Sequence, residues 1–541
     1  MKKRRLVSLI LAAAMLATAF TGCGNASNPQ SALSLTVQVG PEPDSIDPAL
    51  NTTIEGAIYI EHIFEGLTKL DKNGKIVNGQ AKDIKVSDDQ LTYTVTLRDD
   101  IKWSDGKPVT AGDFVYSWQR VVDPKTASQY NYMFDPIVNA TDIYNKKNTD
   151  VTSLGVKATD DKTLVIKLNA PCAYFKELLS RPMYYPVRKD IVEKNSKWTQ
   201  SSSTYIGNGA YKMQSWDHKE SLTYVKNPNY YNKNEVTVDT LKFALMEDDT
   251  SIQSAYQNGE IQFADQFPVE EEDYWKAKPD YKKISQLGTY FICFNTTKAP
   301  FNNPKVRKAL SLVIDRNYIV NKVTKGGQIP AYAYVSTGIS DADSSKQYRD
   351  VGKSYWSTKS QDYDKNVADA KQLLAEAGYP DGKEFPAFEY MYNTNSGHKA
   401  IAEALQNMWK EKLGLKCTLS SQEWAVFVDT RRKANYSVCR HGWLADYNDP
   451  ISYLDMWVTG GGNNDAKWSN TTFDSLIKDA KSTGDQNKRM EDMHKAEDIL
   501  MDEMPVAPIY FYTDEFLINT NLKGQVTTPL GDKLFMFVTK S

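Results

Sequence analysis

"WSDGKPVTAGDFVYSW", residues 103 to 118, holds a complete helix start in its second half. Thr110 stands where an N-cap belongs, and Asp113 lies three residues on, a capping-box pattern in which each residue satisfies a free donor of the other. From Thr110 the run "TAGDFVYSWQRVV" keeps helical spacing, so a helix is predicted over it. Just upstream, "LTYTVTLR" (Leu91 to Arg98) alternates apolar and polar side chains, the pattern of a half-buried strand. A strand passing into a capped helix is the mark of a chain that mixes both elements.

The same alternation continues outward without an internal repeat or a low-complexity block. "NVADAKQLLAEAG" puts Val367, Ala370, Leu373, Leu374 and Ala377 on one helical face, with Gly378 where a C-terminal cap belongs. "HKAIAEALQNMWKEKLG" repeats the design with Ile401, Leu405, Met408 and Leu413 and ends at Gly414. "LKCTLSSQEW" then reads as the next strand. The fold class is α/β, with 32 Tyr, 19 Phe and 11 Trp prominent in the intervening loops.

The N-terminus carries four basic residues, Lys2 to Arg5, then an apolar run of 15, "LVSLILAAAMLATAF". That run is short of the ~20 residues a membrane span needs and fits an export signal. It ends in "FTGC", which resembles the bacterial lipoprotein signal, with Cys23 as the lipidated residue; Phe20 departs from the leucine preferred there. The alternative is an ordinary secretory signal cut elsewhere. Residues 1–22 are read as the signal, and 23–34 as a tether containing the polar "GNASNPQS". The expected location is the outer face of the cytoplasmic membrane, with the body extracytoplasmic. Removing 22 residues that hold four bases and no acid takes the net charge from −3 to −7, which argues against a nucleic-acid partner. About 519 residues remain, enough for two to four lobes.

Catalytic patterns are weak throughout. The histidines at 62, 218, 398, 441 and 494 form no HExxH or HxH pair, so no metal site is expected. "GKS" at 352–354 lacks the earlier glycine of a phosphate loop, since residue 347 is Gln. "YVSTG" at 334–338 has Tyr where a nucleophile elbow needs its first glycine. "DKNG" at 71–74 suits a hairpin turn better than a calcium loop. Cys172, Cys293, Cys417 and Cys439 include no CxxC pair, and spacing alone assigns no bridge among them. No cofactor is called for, and the chain is not read as an enzyme. One feature stands out: "CRHGWLADYNDPISYL" (439–454) places Asp446 after an apolar run and ahead of a turn. From the residues alone, Asp446 either caps that turn or serves a ligand.

Five segments, in order, resemble the oligopeptide-binding proteins of ABC importers, within family 5 of the extracellular solute-binding proteins. They are "GPEPDSIDPALNTTIEG" (40–56), "IKWSDGKPVTAGDFVYSWQRVVDPKTASQY" (101–130), "NGAYKMQSW" (208–216), "KAPFNNPKVRKALSLVIDR" (298–316) and "QEWAVFVDTRRKANYSVCRHGWLADYNDP" (422–450). The resemblance implies a type II periplasmic-binding-protein fold of cluster C, a two-lobed hinge clamp with an additional third lobe. It implies lobe I from 35–64, 205–287 and 513–541, lobe II from 65–204 and lobe III from 288–512. The implied ligand is a short extended peptide bound through its main chain as an added strand. The implied partner is a membrane permease, and the expected state is a monomer.

Site roles follow from the same resemblance. Asp446 matches the position that binds the peptide's ammonium. Glu55, Gly56, Ala57, Gly442, Trp443, Leu444 and Ala445 match segments that contact the peptide backbone. Arg431, Arg440 and His398 match positions near the peptide carboxylate, with structural ion pairing as the alternative for each. Tyr130, Trp424, Trp443, Tyr510 and Tyr512 match walls of side-chain pockets, with core packing as the alternative. Two departures matter: Leu444 stands where some relatives have a cysteine bridged to one near Gly288, and Cys293 stands where some carry an acid. A receptor for a signalling peptide, a dipeptide or a cell-wall peptide is the narrower alternative, and a secreted hydrolase the remote one.

Overall fold

The computed structural model describes residues 32–541 except Asp44 and Ser344, and the backbone alone of Ala425. The expected signal, Cys23 and the tether through residue 31 lie outside the described residues. The Trp103–Trp118 stretch folds as its residues direct. The Thr110 N–H donates to Asp113 Oδ2 at 2.8 Å and starts helix Ala111–Val122. Ala111, Phe114, Trp118, Val121 and Val122 are buried, and Trp118 Nε1 donates to the Tyr184 carbonyl at 2.9 Å. This helix belongs with a separate four-stranded antiparallel sheet ordered Ala81–Val86, Thr92–Leu97, Thr163–Lys167, Val156–Ala158. In Thr92–Leu97 the alternating residues Tyr93, Val95 and Leu97 point inward, as the pattern predicts.

The main sheet is mixed. Its order is Cys417–Gln422, Phe388–Asn393, Val438–Leu444, Tyr281–Phe294, Val506–Ile518, Phe263–Ala264, Ser34–Gln38, Thr240–Ala244, Ser221–Lys226, Tyr211–Asp217. Two long antiparallel strands, Tyr281–Phe294 and Val506–Ile518, lie at its centre and join both halves. Their ladder breaks between the pairs Ser285–Thr513 and Thr289–Phe511, and again after Tyr290–Tyr510. Such irregularities bend a strand and raise its local twist. A large hydrophobic cluster sits on the 287–510 side, built around Tyr290 to Phe294 and Val506 to Tyr510.

Local stop and start signals account for the helices. Helix Tyr363–Glu376 is followed by Gly378 at φ +97°, and helix Ser396–Leu413 by Gly414 at φ +72°, left-handed positions that glycine adopts without strain. The second helix begins two residues before the sequence expectation because Asn395 caps it, accepting from the His398 N–H at 3.1 Å. "DKNG" turns between Thr68–Leu70 and Ile76–Asn78, as a hairpin should. All four cysteines of the described residues are free thiols, with Cys293 directly opposite Cys439 across two strands. Among the described residues no helix is long and apolar enough to cross a membrane.

Candidate functional site

Strand Val438–Leu444 pairs along its whole length with Tyr281–Phe294 on one side. On the other side its ladder with Phe388–Asn393 stops at Met391–Cys439, so the outer edge from Arg440 onward has no partner strand among the described residues. An edge with unpaired donors and acceptors is what an added strand requires. Gly442 lies on this edge because nothing larger fits: a Cβ there would run into the Tyr512 hydroxyl. Leu444 faces Gly288 directly, filling the space over that glycine. The Ala445 N–H donates to the Leu287 carbonyl at 2.7 Å.

The chain then turns, and Ser452 fixes the turn from below. Trp443 Nε1 donates to its carbonyl at 2.7 Å, and the Asp446 N–H donates to its hydroxyl at 2.9 Å. The capping role falls to Asp449, which accepts from the Ile451 N–H at 2.9 Å and binds Arg489 through both oxygens at 2.6 Å. Asp446 makes no such bond. Its Oδ2 accepts from the Tyr132 hydroxyl at 3.0 Å, and its Oδ1 has no hydrogen-bond partner among the described residues. No cation of the described residues lies within salt-bridge distance of Asp446. Burial pushes its acid up to about 6, against the opposing effects of the Tyr132 hydrogen bond and the charge of Arg181. The turn-cap alternative therefore fails on geometry.

Asp446, Trp443 and Tyr132 line a cavity of about 470 Å³. Tyr144, Tyr174 and Tyr447 join Tyr132 and Trp443 as the aromatic part of its wall. Tyr174 and Tyr447 stack at 4.2 Å, joining residues from the two sides of the cavity. Tyr130 stacks on Tyr132 at 5.7 Å and backs it.

A second cluster forms around Arg440. Its guanidinium lies 5.2 Å from the Tyr290 ring centroid, and Tyr290 stacks on Tyr510 at 4.8 Å with Tyr512 edge-on to both. No carboxylate among the described residues pairs with Arg440, and its Nε has no hydrogen-bond partner. His398 approaches the Tyr290 hydroxyl at 3.3 Å, and burial together with the charge of Arg440 pulls its pKa down to about 3. His398 is thus a neutral ring beside a cation, not a second positive charge.

The other expected site residues lie apart from these two clusters or already have partners. Arg431 is bound to Asp465 at 2.6 Å, a carboxylate that His441 also approaches at 3.3 Å, so its charge is already spent. Glu55, Gly56 and Ala57 lie in the first turn of helix Ile54–Ile63. The Gly56 N–H donates to the Thr53 hydroxyl at 3.2 Å and the Ala57 N–H to the Thr53 carbonyl at 3.1 Å, so neither is open to a ligand's main chain. Trp424 is 56 % exposed at the start of helix Trp424–Arg432 and lines neither cluster. Tyr132, Ser452 and Tyr290 escaped the sequence reading. Tyr132 and Tyr290 lie far from Asp446 and Arg440 along the chain, and Ser452, six residues after Asp446, meets it only because the chain turns between them. Among the described residues no group of three or more His, Cys, Asp or Glu is placed to hold a metal ion.

Comparison with known proteins places this geometry in context. The family described as bacterial extracellular solute-binding proteins, family 5 Middle, matches residues 75–465. The oligopeptide-binding protein OppA of Bacillus subtilis (strain 168) is 37% identical over 559 residues, covering 99% of each chain. The periplasmic oligopeptide-binding protein OppA of Salmonella typhimurium is 37% identical over 546 residues, covering 99% of this chain and 98% of its own. The crystal structure of Haemophilus influenzae OppA in complex with RPPGFSPFR superposes with a TM-score of 0.79 at 32% identity, covering 91% of this chain and 96% of that one.

Proposed function

Because this chain belongs to the bacterial extracellular solute-binding proteins of family 5, with the type II periplasmic-binding-protein fold, we propose that it is a lipid-anchored receptor that captures short peptides and delivers them to the permease of an ABC importer. It is a binding protein, not an enzyme. The reading rests chiefly on one observation: Asp446 is an uncompensated carboxylate on a cavity wall, at the end of a strand whose outer edge is free. A peptide main chain docks along Gly442–Leu444, its ammonium meets Asp446, and its carboxylate turns toward Arg440. Main-chain recognition suits many sequences, since every peptide carries the same donors and acceptors. The additional lobe is lobe II, residues 65–204, and the two long strands act as the hinge. Cys23 carries the lipid that keeps the receptor at the membrane.

Calorimetry with a tripeptide tests this reading. Asp446→Asn is expected to weaken binding by roughly 2–5 kcal/mol, the cost of truncating one partner of a buried charge pair. N-acetylation of the peptide should cost a similar amount with the unaltered protein and little more with the variant. Unchanged affinity in both measurements would remove Asp446 from the site.

A further inference from the structure

The cavity that holds Asp446 has a second acid. Asp135 follows the short 3-10 turn Asn131–Phe134 that carries Tyr132, so one turn of chain serves both carboxylates. Their surroundings are alike. Asp135 Oδ1 accepts from the Tyr144 hydroxyl at 2.5 Å and from the Thr141 hydroxyl at 3.1 Å, while its Oδ2 has no hydrogen-bond partner among the described residues. Asp135 is half-buried, and the charge of Lys481, which is ion-paired to Asp455, acts on it without a direct ion pair among the described residues. The other charges on the cavity wall are matched: Lys481 lies 2.9 Å from Asp455, and Arg489 binds Asp449 through two bonds of 2.6 Å. After these pairings two carboxylates remain without a direct ion pair among the described residues, Asp446 and Asp135, each lining the cavity with one oxygen tied by a tyrosine and the other without a hydrogen-bond partner. An ammonium on Asp446 satisfies the first. The second still needs a donor, and the group that enters the same cavity with the ammonium is the side chain of the peptide's first residue.

Building on the assignment of Asp446 to the ammonium, we propose that Asp135 selects that first side chain, favouring lysine or arginine. A long flexible stem ending in a cation can pass the aromatic wall formed by Tyr144, Tyr174 and Tyr447 and place its charge on Oδ2. A glutamate in the same place would set a second uncompensated carboxylate beside Asp135. Norleucine has the same stem as lysine without the charge, so it isolates the contribution of Asp135.

Calorimetry with X-Ala-Ala tripeptides, X being lysine, norleucine or glutamate, tests the selection directly on the unaltered protein. The lysine peptide is expected to bind about tenfold tighter than the norleucine peptide, the glutamate peptide weaker than both. Asp135→Asn should bring the lysine peptide down to the affinity of the norleucine peptide, and Asp135→Glu should keep part of the advantage. Equal binding of lysine and norleucine peptides to the unaltered protein overturns the proposal, and so does a lysine advantage that survives Asp135→Asn. Failure of the ammonium reading shows separately, as indifference of the norleucine peptide to N-acetylation.

Discussion

At the scale of single residues, Asp446 and Arg440 pose opposite halves of one problem. Each is an ionisable group taken from water without a partner of opposite charge. For Asp446 the consequence can be worked out with its sign. Its folded-state pKa of about 6 lies above the ordinary value of 3.8, so the ligand-free protein holds a proton there that the unfolded chain releases. Stability from this group is complete below the unfolded pKa and is lost as pH rises toward 6. Asp446→Asn should therefore stabilise the ligand-free protein at pH 7.5, by at most about 3 kcal/mol, since each tenfold change in proton affinity is worth about 1.36 kcal/mol. Thermal unfolding with and without the substitution checks this. Peptide affinity should run the other way: below pH 6 the proton competes with the ammonium, and affinity should fall about tenfold per pH unit. In Asp446→Asn that fall should vanish. A flat affinity profile from pH 7.5 to 5 with the unaltered protein would contradict the assigned role.

What was readable at this scale was uneven, for a physical reason. Asp446 was found because it sits in a distinctive local string, yet its competing role as a turn cap was excluded only by seeing Asp449 do that work. Arg431 and Arg440 look equivalent in sequence, nine residues apart. What separates them is Asp465, 34 residues beyond Arg431, which ion-pairs with Arg431 and not with Arg440. Partners brought together by the fold leave no trace in local spacing.

At the scale of elements, the strand Val438–Leu444 depends on a glycine for close approach. The Tyr512 hydroxyl sits where a Cβ of residue 442 would go, and Arg440 Nη2 lies 3.5 Å from that same point. Gly442→Ala should destabilise the protein by about 1–3 kcal/mol, the usual cost of forcing atoms into a filled space. Tyr512→Phe removes the obstructing oxygen, so the double substitution should recover much of that loss, a coupling that chemical denaturation of all four proteins would reveal. Independent, additive losses would mean that Tyr512 moves aside freely. Elements of this kind were well read where the signal is local, as with Thr110 and Asp113 or Gly414. The helix start at Glu55–Ala57 follows from Thr53, whose hydroxyl and carbonyl take up the Gly56 and Ala57 donors, a cap legible in the sequence but one whose consequence for a ligand needs the fold.

At the scale of the whole molecule, the two halves of the main sheet share Tyr281–Phe294 and Val506–Ile518, and their pairing breaks near residues 285–289. The lobe boundaries expected from sequence, near 287 and 512, fall at the same place. Continuous strands resist bending, so a register break is where relative motion costs least. Around the site, contacts bridge distant segments: the Asn448 N–H donates to Glu177 Oε1 at 3.1 Å, and Tyr132 reaches Asp446. A ligand that touches both sides should shift the population toward a state with these contacts made, in proportion to its differential affinity for that state. Small-angle scattering should then show a smaller radius of gyration when a tripeptide is added, with slower amide exchange at Asn448. Asp446→Asn at the same peptide concentration should show neither change, because the contact that favours closure is lost, while excess peptide should restore both. Contraction of the variant at unchanged peptide concentration would place the driving contact elsewhere in the cleft, and an unchanged radius with saturating peptide would mean that the register break does not act as a hinge.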